Sequence, residues 1–136
     1  MSTHDNEATF QAGIRVERRS DGALVYHVGT TVLLYDDGGR WFAQSLEIDH
    51  FADGSSEEEV KANFANSFKR TVQEHLHAYE SLVELVNPAP SRFFLDFLRL
   101  QAGDNRSVPA LRPANEQAEE KPAPAPKVWH AQTLAA

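Results

Sequence analysis

At 136 residues the chain has room for one domain, since domains typically hold about 100 to 150. It contains no cysteine, which excludes disulfides, zinc–thiolate sites and thiol nucleophiles, and no apolar run approaches the roughly 18 residues of a membrane span. The net charge of −7 belongs to residues 1–103, because beyond them Arg106, Arg112, Lys121 and Lys127 offset Asp104, Glu116, Glu119 and Glu120; an acidic folded domain repels phosphate backbones, so a basic protein is a better-matched partner than nucleic acid.

Residues 1–12 read as a disordered lead-in. Met1 to Asn6 is polar, unlike a secretory signal, and a cytoplasmic location is the expectation. From Gly13 the pattern is β. Ile14-Arg15-Val16-Glu17 alternates apolar and charged, as a half-buried strand does. Ser20-Asp21-Gly22 is turn chemistry, and Leu24 to Val28 resumes as a second strand. Thr31 to Tyr35 is a further run of β-formers, and Asp36-Asp37-Gly38-Gly39 marks a tight hairpin. The returning strand is read as Arg40 to Ile48, with Phe42, Gln44, Leu46 and Ile48 on one face and Trp41, Ala43 and Ser45 on the other. Both faces are partly apolar, which suits a central strand. Phe51 to Gly54 is a short strand ending in a turn.

Ser55-Ser56-Glu57-Glu58-Glu59 opens a helix: either serine can cap it, each has a glutamate three residues on, and the acidic run suits the positive end of the helix dipole. Val60, Phe64, Phe68, Val72, Leu76, Tyr79 and Val83 then recur every three or four residues, an amphipathic face to lay on the sheet. Asn87-Pro88-Ala89-Pro90 is the expected terminator. Ser91 is read as the cap of a shorter helix carrying Phe93, Phe94, Phe97, Leu98 and Leu100, closed by Gly103. Apolar residues on most of its circumference require burial against the sheet or another subunit, and Phe93, Phe94, Phe97 and Leu100 are the expected self-association residues of a homo-oligomer. Residues 104–136 hold five of the seven prolines among Ala, Glu, Gln and Asn, and read as a disordered tail whose one sticky spot is Val128-Trp129-His130. The expected fold is therefore α+β, a small antiparallel or mixed sheet packed by one long helix and a shorter second one, spanning residues 13–103.

No constellation demands catalysis. Asp36, Asp37, Glu47, Asp49 and Asp53 lie near strand ends, where two-metal nucleases build sites, but Asp36, Asp37 and Asp53 belong to turns. His75 and His77 point roughly 200° apart on a helix and cannot share a metal, and His50 beside Asp49 and Glu47 lacks a third fixed ligand. Ser45 has no nucleophile elbow around it, and Gly38-Gly39 precedes a strand rather than the helix of a phosphate loop. The chain is expected to be no enzyme and to need no cofactor or metal.

Gly39-Arg40-Trp41-Phe42-Ala43-Gln44-Ser45-Leu46-Glu47-Ile48-Asp49, followed by Gly54-Ser55-Ser56-Glu57-Glu58-Glu59-Val60, resembles the HicB-like antitoxin family, in which a W-x-A-x-x-L-E-L strand leads to a G-[ST]-x-E-E-A helix start. The likeness covers residues 31–76. It implies a partial RNase H-like fold without nuclease carboxylates that binds a small basic RNA-cleaving toxin, usually as an oligomer, in a type II toxin–antitoxin system. Trp41, Gln44, Glu47 and Asp49 are then the candidate partner-binding residues. The alternative is a stand-alone self-associating adaptor domain without a toxin, recruiting partners through Trp129.

Overall fold

The computed structural model describes residues 12–103, 108–109 and 122–136. The lead-in expected before Gly13 lies outside the described residues apart from Ala12. In chain order the elements are β1 (Gly13–Arg18), β2 (Leu24–Asp37), β3 (Arg40–Ser45), β4 (Phe51–Gly54), α1 (Glu57–Tyr79), a 3-10 turn (Val83–Leu85), α2 (Ser91–Gln101), the two-residue strands β5 (Val108–Pro109) and β6 (Pro122–Ala123), and β7 (Lys127–Ala135). The α+β class expected from the sequence is present, as a five-stranded antiparallel sheet with a helix on each face.

The two β segments expected at Leu24–Val28 and Thr31–Tyr35 are one strand of 14 residues. Gly29 does not interrupt it, because Gly29 is laddered on both sides, to Gly13 and to Gln132. β1 pairs with β2 over Leu24 to Gly29, and β3 pairs with it over Val32 to Asp37. β7 runs alongside Tyr26 to Leu34 and overlaps both partners. A strand has two edges only, so β7 occupies one and β1 and β3 share the other end to end. The break between them falls at Thr30 and Thr31. β3 turns back from β2 through Gly38 and Gly39, at φ 64° and 93°, the two left-handed positions that a two-residue hairpin of matching twist requires.

β7 overturns the expectation that residues 104–136 are a disordered tail. Lys127 to Ala135 makes nine consecutive pairs with the central strand. Its alternation puts Trp129, Ala131 and Ala135 on the α1 face, where the alanines are buried and the Trp129 ring stands edge-on to Phe64 at 5.7 Å. Trp129 is thus a core contributor rather than a docking spot. The rest of the tail expectation, residues 104–107 and 110–121, lies outside the described residues.

Ser56 caps α1, accepting from the Glu59 amide at 3.0 Å, while the Glu59 carboxylate returns to the Ser55 amide at 2.8 Å. Val60, Phe64, Phe68, Val72 and Leu76 are buried, as the spacing predicts. Gly54 lets the helix start approach β4, since a Cβ there would stand 2.8 Å from the Val60 nitrogen. The helix ends at Tyr79, not at Asn87. Glu80 turns left-handed (φ 54°) and its amide closes on the Leu76 carbonyl. Leu82 and Leu85 thereby reach the core beneath α1, and Tyr79 and Val83, expected on the buried stripe, are left in solvent.

α2 covers the other face. Pro90 rather than Ser91 holds its N-cap position. Phe93 is buried, and Phe94, Phe97 and Leu100 pack with it on Leu33, Tyr35, Leu46 and Phe42. These four are the residues expected to self-associate, and they cover the chain's own sheet. Among the described residues no helix is long and apolar enough to cross a membrane.

Candidate functional site

The strand-end carboxylates are the place where metal chemistry, or partner recognition, would be built. β3 leaves the sheet at Ser45, three residues earlier than the period of the sequence suggests. The Ser45 amide and hydroxyl take up the turn, the amide donating to the His50 carbonyl at 3.0 Å and the hydroxyl to the Ile48 carbonyl. Past that point alternation fails, and Ile48 joins the core under α1 instead of sharing a face with Leu46.

This turn carries Glu47 back to the break between β1 and β3. One of its carboxylate oxygens accepts from the Thr31 amide at 2.8 Å and the Thr30 hydroxyl at 2.9 Å, and the other from the Thr31 hydroxyl at 2.9 Å. The Leu46 amide donates to the Thr31 carbonyl at 2.9 Å. Thr30 and Thr31 are buried, so the side chain supplies acceptors that a neighbouring strand would otherwise provide.

The other candidates do not converge on Glu47. Gln44 is buried, on the α2 face, and donates to the Ser45 carbonyl at 2.9 Å and to Asp49 Oδ1 at 2.7 Å. That contact brings Gln44 and Asp49 together, and the Asp49 side chain faces solvent. Trp41 lies on the opposite, α1 face, half-buried, with Lys127 Nζ 5.7 Å from its ring centre. Lys127 and Lys61 both reach the Glu57 carboxylate, at 2.8 and 3.1 Å, and hold it below the usual carboxylate range, Lys127 most strongly.

Two more carboxylates of this end, Asp53 and Asp36, have internal partners. Asp53 pairs with Arg40, and Asp36 accepts from the Gly39 amide at 3.0 Å. His50 Nε2 meets Ser67 Oγ at 2.8 Å, and its ring stands edge-on to Phe64 and Phe68. Burial lowers its pKa, against the opposing pull of the Asp49 charge. Ser67 Oγ also lies 2.9 Å from the Asn63 carbonyl, to which it donates within its own helix. Across the sheet, Tyr35 donates to Asp96 at 2.6 Å, and burial together with that carboxylate pushes the phenol well above its ordinary value. Among the described residues no three His, Asp or Glu side chains are grouped to hold a metal ion.

Two exposed apolar surfaces remain, one on α2, where Leu98 belongs to the circumference expected to need burial, and one beside β1. Leu95 and Leu98 face outward from α2. At the far end of the α1 face a groove of about 640 Å³ opens between β1 and the chain after α1, lined by Ile14, Val16, Tyr26, Leu82, Val83 and Val86 with Glu80 and Ser81. Its only sequence signal is the apolar period running past Tyr79, which reads equally well as more helix. Comparison with protein-family models, curated proteins and solved structures finds no match.

Proposed function

We propose that this chain is a non-catalytic protein-binding module of the antitoxin type, acting in the cytoplasm as a homo-oligomer and sequestering a small basic RNA-cleaving toxin. The observation that carries the reading is the engagement of Glu47. The strand-end carboxylate best placed for a nuclease centre is bound by three donors of Thr30 and Thr31 and completes the sheet. A carboxylate committed in this way is a poor metal ligand, because recruiting it would strand two buried threonines without acceptors.

Acidity and exposed apolar surface suit association with a cationic protein, in which charge guides the encounter and buried apolar area holds the complex. Of the four candidate residues, Asp49 and the Trp41 edge remain as contacts, with Gln44 orienting Asp49.

A second reading, a self-associating domain with no toxin, is favoured by Leu95 and Leu98 on α2. Recruitment through Trp129 has no place in it, since that ring is packed in the fold. Affinity capture with the full-length chain in its native cell separates the two. The antitoxin reading expects one small basic protein in stoichiometric amount, identified by mass. Recovery of the chain alone favours the second reading.

A further inference from the structure

We propose that the groove beside β1 seats an apolar side chain of a basic partner segment, with a lysine or arginine of that segment paired to Glu80. The inference deepens the binding-module reading and rests on it. The groove exists because α1 stops at Tyr79 and leaves the β1 end of the sheet uncovered on that face. Ile14, Val16 and Tyr26 form the floor, and Leu82, Val83 and Val86 the wall. Val16, Val83 and Val86 are 52%, 76% and 55% exposed, and they come from two separate stretches of chain. The groove is open to solvent, and its volume of about 640 Å³ leaves room for a side chain and the backbone beside it.

Charge selects the occupant. Glu80 lines the groove, at a left-handed position where glycine or asparagine usually ends a helix. Strain of that kind gathers at functional sites. A wholly apolar guest would desolvate the Glu80 carboxylate without replacing its water, and an acidic guest would be repelled by it and by the chain's net charge of −7. An apolar residue flanked by a cation satisfies both halves. Arg18 follows Val16 on the same face of β1 but outside the lining, so the guest's cation is directed to the Glu80 end.

The test titrates the full-length, ¹⁵N-labelled chain with two synthetic heptapeptides, one alternating leucine with lysine and the other leucine with glutamate. The expected result is shifts at Ile14, Val16, Leu82, Val83 and Val86 with the lysine peptide and roughly tenfold weaker binding of the glutamate peptide. Val83→Ser, which removes apolar wall at a position 76% exposed without adding charge, weakens the lysine peptide about threefold, and Glu80→Gln weakens it about threefold and flattens its salt dependence. Lysine-peptide shifts confined to Asp49 and its neighbours would overturn the groove assignment and leave the basic-partner reading standing. No shifts anywhere would overturn both. Equal binding of the two peptides would overturn the role of Glu80, and concentration-dependent shifts at the groove without peptide would assign it to a second copy of the chain.

Discussion

The Glu47 carboxylate stands 2.8 Å from the Thr31 amide, across the break where β1 has ended and β3 has not begun. A side chain from the β3–β4 turn thus takes the place of a strand at the centre of the sheet. Glu47→Gln keeps one oxygen acceptor and replaces the other with a donor facing donors. It should lower unfolding stability by about 1–3 kcal/mol, and Glu47→Ala by more. Urea denaturation followed by circular dichroism measures both, and an unchanged midpoint would return Glu47 to the pool of free carboxylates.

β7 makes the C-terminus part of the domain. Trp129→Ala removes a half-buried ring packed on Phe64 and should cost about 2–4 kcal/mol. A chain ending at Gly103 loses the whole strand and exposes one edge of β2, and is expected to unfold or aggregate. If it instead gives the near-ultraviolet spectrum and denaturation midpoint of the full chain, β7 is dispensable.

His50 sets an acid limit. Burial makes its folded-state pKa lower than the ordinary 6.5, so the unfolded chain binds the proton more readily. Its contribution to stability is therefore complete above about pH 6.5 and is lost as pH falls through the lower folded value. The urea midpoint should drop between pH 7.5 and 5, and the drop should be smaller in His50→Gln. Equal drops would place the acid sensitivity elsewhere.

Tyr35 acts at the opposite end of the scale. Its pKa is raised by burial and by Asp96, so the folded state holds the proton and stability falls as pH rises past about 10. Tyr35→Phe leaves the Asp96 carboxylate without that donor and should cost about 1–2 kcal/mol at neutral pH. It should also reduce the alkaline loss of stability seen in a pH series of thermal melts. Identical alkaline limbs in the two proteins would contradict this.

Much of the fold is legible in the sequence where local chemistry and period agree. The Ser56 cap and the Val60-to-Leu76 stripe define α1, and Gly38-Gly39 defines the hairpin. The misses come from tertiary demands. The apolar period runs smoothly through Tyr79 to Val83, but Leu82 and Leu85 reach the core only if the helix breaks at Glu80. Trp129, Ala131 and Ala135 do alternate, yet small alanines signal a strand weakly, and the proline-rich stretch before them dominates the composition. Of the candidate site, the carboxylates are recognisable as strand-end residues. Their roles depend on a register that puts Thr30 and Thr31 at a break between two strands, which no spacing within residues 40–54 reveals.

The most direct test of the antitoxin reading is a cleavage assay in which the basic protein captured by the full-length chain acts on RNA while the chain is titrated in, with the chain alone plus magnesium or manganese as control. The reading predicts that cleavage falls to background at stoichiometric chain and that the chain alone cuts nothing. Undiminished cleavage at excess chain, or divalent-dependent cleavage by the chain itself, would contradict it.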